Sequence, residues 1–208
     1  MEFDLIDGSM CICYNLQKML CSLLGIGVWR EGFMKPLIIY YSHTGNNEKL
    51  ALKIKDRLGC EILKIDEKKK RKTISILLDF IFNRNSKLSG YQIADHEHDV
   101  FILIAPIWGG RIASPMRAFI EKESCRICKY FFISLCNGVA GQKDKIAAEL
   151  SSIIQREPIG VTELWINRLL PEDQQDKVKH TFNYKVSDND LKRFEADIEK
   201  LVGEVSKT

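Results

Sequence analysis

Six consecutive residues, Ser42-His43-Thr44-Gly45-Asn46-Asn47, concentrate hydroxyls, amides and one glycine in a single short turn. The apolar run Leu37-Ile38-Ile39-Tyr40-Tyr41 leads straight into it. That run is too short and too β-branched for a helix, so it reads as a strand. After the turn, Leu50, Ala51, Ile54 and Leu58 recur at helical spacing. A strand–turn–helix start with Ser42 and Thr44 hydroxyls and free N–H groups suits a phosphate dianion. No Lys or Arg lies inside the turn, so neutral donors and the helix dipole would have to hold the charge. The same residues also serve as ordinary turn and N-cap residues. The segment is not a Walker loop, because no Gly-Lys-Ser/Thr follows, and Gly25-Ile26-Gly27 lacks the third glycine of a dinucleotide fingerprint.

A second segment points the same way. Val100-Phe101-Ile102-Leu103-Ile104-Ala105 is apolar throughout, as expected for the buried centre of a parallel sheet. It runs into Pro106-Ile107-Trp108-Gly109-Gly110-Arg111, and Ser114-Pro115 then opens a helix through Ile120. A large aromatic in a Gly-flanked loop therefore sits at the carboxyl end of a central strand. Open α/β sheets bind small ligands at that edge. The alternative is a Trp that only plugs the sheet.

These segments resemble the flavodoxin-like family. Ser42 to Asn47 is similar to its Ser/Thr-x-Thr-Gly-x-Thr phosphate loop, with Asn47 in place of the last Thr. Ala105 to Gly110, followed by Pro115 and Phe119, is similar to its Pro-x-Trp-x-Gly loop and the next helix. Ser134-Leu135-Cys136-Asn137-Gly138 falls where the family places a third loop, and the resemblance runs from about residue 35 to 205. It implies a flavodoxin-like doubly wound α/β sandwich, with five parallel strands in the order 2-1-3-4-5. It also implies FMN as cofactor. The phosphate would sit against Ser42, His43, Thr44, Gly45, Asn46 and Asn47. The ring would lie between Pro106, Ile107, Trp108, Gly109 and Gly110 on one side and Cys136, Asn137 and Gly138 on the other.

The rest of the chain must position those loops. It has 208 residues, 45% hydrophobic and 28% charged, enough for one well-cored domain. Strands are expected at Cys60–Ile65, Tyr130–Leu135 and Ile159–Ile166, alternating with helices at Thr73–Phe82 and Lys143–Arg156. Asp188 caps a last helix with Leu191, Phe194, Ile198, Leu201 and Val202 on one face. Asp66–Lys72 reads as a charged connection, Asn83–Asp99 as turn-rich, and Pro171–Lys185 as a partly helical surface excursion. Alternating β and α units predict a parallel sheet covered on both faces. Residues 1–33 precede this pattern and are expected to be an extension to a core of residues 34–208. An upstream start codon or an appended segment is the expected origin of the extension; the alternative is an amphipathic flap.

The net charge of +3 argues against a nucleic-acid partner. It also departs from the acidity usual among electron-carrying flavodoxins, which steers them to basic partners. Seven scattered cysteines, an odd number, suit reduced thiols in a cytoplasmic setting. No run approaches the roughly 18 apolar residues of a membrane span. Cys125-Arg126-Ile127-Cys128 has redox spacing, but follows a helix instead of opening one. His96-Glu97-His98 has metal-ligand types, yet precedes the third strand, at the far end from the loops. No metal site is expected there. No Ser-His-Asp or paired-carboxylate set stands out, so no catalytic residue is expected.

The expected function is an FMN redox protein, monomeric or homodimeric, exchanging electrons with a partner protein or small acceptor. One alternative is an NAD(P)H-dependent quinone or flavin reductase, for which Arg111 beside Trp108 speaks. The other is a cofactor-free interaction module. A phosphoacceptor receiver would need acidic residues where Ser42-His43-Thr44 and Pro106-Ile107-Trp108 stand.

Overall fold

The computed structural model describes residues 35–67, 87–93, 98–175, 180–181 and 184–208. The expected extension at 1–33, the expected helix at Thr73–Phe82, and His96 and Glu97 lie outside them.

Seven strands are described: β1 Pro36–Tyr40, β2 Glu61–Lys64, β3 Val100–Ile104, β4 Ile107–Trp108, β5 Arg111–Ile112, β6 Tyr130–Cys136 and β7 Gly160–Trp165. The helices are α1 Asn46–Leu58, α2 Ser114–Glu123, α3 Gln142–Ile154, α4 Asp188–Lys192 and α5 Glu195–Val205. Five strands form one sheet in the order β2-β1-β3-β6-β7, and every neighbouring pair is parallel. Counted along the sheet's own strands, this is the 2-1-3-4-5 order that the motifs implied.

Burial explains the central runs. Every residue of β3 and of β6 is buried, because helices cover both faces. Ile39, Leu103, Tyr130 and Phe132 face Met116, Phe119 and Ile120 of α2 and Ile146 and Leu150 of α3. Their neighbours Ile38, Ile102, Phe131 and Ile133 point the other way, onto Leu50 and Ile54 of α1 and Ile198 and Leu201 of α5. A strand whose two faces are both core has no polar face to show, so its sequence loses alternation.

Three local expectations are corrected. Ser187, not Asp188, caps the last helical segment. Its Oγ accepts the Asp190 N–H at 3.2 Å while Asp190 accepts the Ser187 N–H at 2.8 Å, a reciprocal capping box. The segment is also two helices, broken at Arg193 and Phe194. Leu191, Phe194, Ile198 and Leu201 still share the buried face, joined by Val205, while Val202 is only half-buried. Finally, Trp108 is not in an open loop. Ile107 and Trp108 pair antiparallel with Ile112 and Arg111. Gly109 and Gly110, at φ 56° and 77°, form the two-residue turn. Positive φ at both central positions is the type I′ geometry, which strongly favours glycine.

Candidate functional site

The carboxyl ends of β1, β3 and β6 lie side by side, because the strands are parallel neighbours in that order around β3. Each end feeds one of the three segments singled out by sequence. Ser42 follows β1, the Trp108 hairpin follows β3, and Asn137 follows β6.

The first turn is built on local hydrogen bonds. The Ser42 Oγ accepts the Gly45 N–H at 3.1 Å. The Gly45 carbonyl then accepts the Lys49 N–H at 3.1 Å, closing the first turn of α1. The N–H groups at the start of α1 have no acceptor within the helix, which leaves a positive dipole end at the turn. Thr44 is half-buried beside it and His43 is exposed.

The two asparagines do not point outward, however. Asn46 and Asn47 are 5% and 4% exposed. Asn47 accepts the Leu135 N–H at 2.9 Å and donates to the Leu135 carbonyl at 3.3 Å. β3 pairs with β6 only as far as Ile133, whereas β7 continues along β6 to Cys136. The Asn47 amide thus takes the place of the missing β3 backbone beside Leu135. Asn46 does the same for an irregular segment. It donates to the Tyr184 carbonyl at 2.8 Å and accepts the Val186 N–H at 3.0 Å.

That clamp corrects one expectation. The stretch ending at Lys185 is not simply a surface excursion, because its end is held against the start of α1. It also brings a cation to a turn that has none of its own. The Lys185 ammonium donates to the Thr44 carbonyl at 2.6 Å. Sequence reasoning missed this residue, and no local signal marks it. Lys185 and Tyr184 also border a groove of about 630 Å³, walled further by Leu169, Leu170 and Pro171.

Trp108 stands over the first turn. Its ring is edge-on to Tyr41 and to His43, with centroids 5.9 and 6.0 Å away at 86° and 89°. Edge-to-face packing at these distances is favourable. Pro106 anchors the hairpin through its carbonyl, which accepts the Ala113 N–H at 3.0 Å. Glu149 of α3 anchors the other strand. It accepts the Ile112 N–H at 2.9 Å and lies 3.6 Å from both Arg111 and Arg117. The Gly109-Gly110 pair between Trp108 and Arg111 was the local signal for this hairpin.

The third segment is held from below. Gly138 has φ 84°, and a Cβ there would lie 2.6 Å from the Trp165 ring. The Trp165 indole N–H donates to Glu163 at 3.2 Å, and the Arg168 guanidinium stacks on its ring at 4.3 Å. Cys136 is buried, and Gln142 reaches its sulfur at 3.6 Å while bonding Glu163 at 2.7 Å. Burial, reinforced by the Glu163 charge, pushes the thiol up to about 12. It therefore stays protonated and acts as a small apolar group. The Asn137 Oδ1 is buried without a hydrogen-bond partner, an acceptor left open beside the site.

The structure thus joins the first turn to the Trp108 hairpin through His43, and to the end of β6 through Asn47. It keeps Cys125 and Cys128 apart from them. Both lie between α2 and the start of β6, at the opposite edge of the sheet. His98 is nearly buried with its Nε2 3.7 Å from Glu61, also at that far edge. No group of His, Cys, Asp and Glu suited to a metal ion occurs among the described residues. None of their helices is long and apolar enough to cross a membrane.

No protein-family model matches this sequence, nor does any curated protein. Solved structures do. A flavoprotein from Lactobacillus acidophilus NCFM, crystallised in complex with FMN, matches with a TM-score of 0.55 at 21% identity, over 62% of this chain and 93% of that one. The apo-form of the flavoprotein from the same organism, solved by NMR, gives 0.52 at 21% identity, over 69% and 98%. A candidate flavoprotein from Bacteroides eggerthii DSM 20697 gives 0.55 at 16% identity, over 73% and 99%. Strand order, uniform parallel pairing and these likenesses together establish that the chain has the flavodoxin-like fold.

Proposed function

We propose that this protein binds FMN at the carboxyl edge of its sheet and passes electrons through the flavin to a redox partner protein or a small acceptor. The observation that carries this reading is the convergence of three loops: a dipole-backed hydroxyl turn, a fixed tryptophan and a glycine loop with an unpaired acceptor. FMN offers a dianion, a flat aromatic ring and ring N–H groups, and the residues present fit each part. Ser42, Thr44 and the first N–H groups of α1 would hold the phosphate. Trp108, fixed by its hairpin and by Tyr41 and His43, would flank the ring. Asn137 Oδ1 would accept a hydrogen bond from it.

The bound flavin would supply the electron chemistry, and the protein would supply binding, orientation and electrostatics. Trp108 and the Gly138 loop would exclude water from the ring. Cys136 stays protonated and adds no charge. The thiols at Cys60, Cys128 and Cys136 form no disulfide, which supports a reducing, cytoplasmic setting.

Titration of the purified protein with FMN and with riboflavin tests the reading. FMN should bind near one equivalent, with its emission quenched by Trp108, and at least about tenfold more tightly than riboflavin, because only FMN carries the charged acceptor. Absence of flavin binding would rule the proposal out. Equal affinity for the two flavins would rule out the phosphate turn.

A further inference from the structure

Resting on the FMN reading, we infer that Lys185 is the cation that meets the cofactor's phosphate and sets the preference for a phosphorylated flavin. The turn from Ser42 to Asn47 has no Lys or Arg, so a dianion there would rest on neutral donors alone. Lys185 supplies the missing charge from far along the chain. Its two neighbours are pinned by one side chain: the Tyr184 carbonyl and the Val186 N–H both bond the buried Asn46 amide. Val186 is itself 2% exposed. Backbone held on both sides of a single exposed lysine directs that lysine at the turn. Its ammonium meets the Thr44 carbonyl at 2.6 Å. An ammonium has three N–H donors, so two remain for a phosphate oxygen beside Thr44.

Acids near the turn do not compete for it, since each has another partner. Glu48 accepts the Tyr40 hydroxyl at 2.9 Å and lies 3.4 Å from Lys64. Asp188 lies 3.7 Å from Lys49. Asp190 is engaged by Ser187 and by the Tyr184 hydroxyl. The local balance therefore leaves Lys185 as a charge aimed at the turn and bonded there to a neutral carbonyl. An anion arriving at the turn gains a charge-assisted hydrogen bond that riboflavin cannot make.

The test compares FMN and riboflavin dissociation constants for the wild type, Lys185→Gln and Lys185→Arg at two salt concentrations. Lys185→Gln should weaken FMN about tenfold and leave riboflavin unchanged, shrinking the ratio between them by the same factor. It should also flatten the salt dependence of FMN binding, because a screened charge has been removed. Lys185→Arg should restore most of the ratio. Lys185 is exposed, so both variants should fold, and thermal melts would confirm it. An FMN-to-riboflavin ratio that is unchanged in Lys185→Gln overturns this assignment alone. Equal weakening of both flavins also overturns it, because that marks a merely structural tie to Thr44. A wild type that binds both flavins equally, or neither, overturns the phosphate turn along with it.

Discussion

Replacing Asn47 by Ala should destabilise the fold far more than its place at the very start of α1 suggests. The side chain is 4% exposed and makes two hydrogen bonds to one residue, Leu135. β3 has already ended there, so nothing else on that side of β6 can pair with the Leu135 backbone. Truncation removes two bonds, each with a net value of about 0.5–1.5 kcal/mol, and strands a buried N–H and a buried C=O. Partial rescue by water reduces the cost of the stranded groups. The expected loss is about 2–4 kcal/mol. For a domain of this size each kcal/mol lowers Tm by about 2–4 °C, so a drop of about 6–12 °C is expected at the middle of that range.

Asn47→Thr introduces the hydroxyl found in the loop pattern that this turn resembles. A single hydroxyl oxygen is a poorer match for the Leu135 N–H and C=O than an amide's separate acceptor and donor atoms, so about half the loss should remain. Urea unfolding followed by circular dichroism measures both variants. Cm should fall while m stays constant, because the unfolded surface is unchanged. A loss below about 1 kcal/mol for Asn47→Ala, or equal losses for Ala and Thr, would refute the idea that this amide completes the sheet.

Two further outcomes follow from the third loop. Gly138→Ala forces a side chain into positive φ, at about 1–2 kcal/mol, and drives a Cβ to 2.6 Å from the Trp165 ring. It should lower stability by more than about 2 kcal/mol and change tryptophan emission. An unperturbed melt would mean that Trp165 can move aside freely. Cys136, with a thiol held near 12, should resist alkylation at pH 8 in the native protein and label only after unfolding. Peptide mapping checks this, and native labelling of Cys136 as fast as Cys128 would contradict its burial.

Several parts of this molecule are local in their causes. Ile102 to Ile104 and Phe131 to Ile133 contain no polar residue, and only a sheet covered on both faces accommodates such strands. The Gly109-Gly110 pair dictates a hairpin, and Ser187 with Asp190 dictates a cap. Both follow from backbone geometry within four residues. The hydroxyl turn is legible because strand, turn and helix are consecutive. The uses of Asn46, Asn47 and Lys185 are different in kind. Asn47 finds Leu135 at a separation of 88 residues, and Lys185 finds Thr44 at 141. No periodicity or spacing encodes such pairs, since each partner is a backbone group that every residue carries. Where β3 stops short of β6, and where the segment after β7 returns, decides which backbone atoms need a partner. Short-range patterning is therefore enough for the sheet, the turn and the tryptophan at its edge. The inward-facing asparagines and the lysine that meets the Thr44 carbonyl depend instead on where distant stretches of chain return.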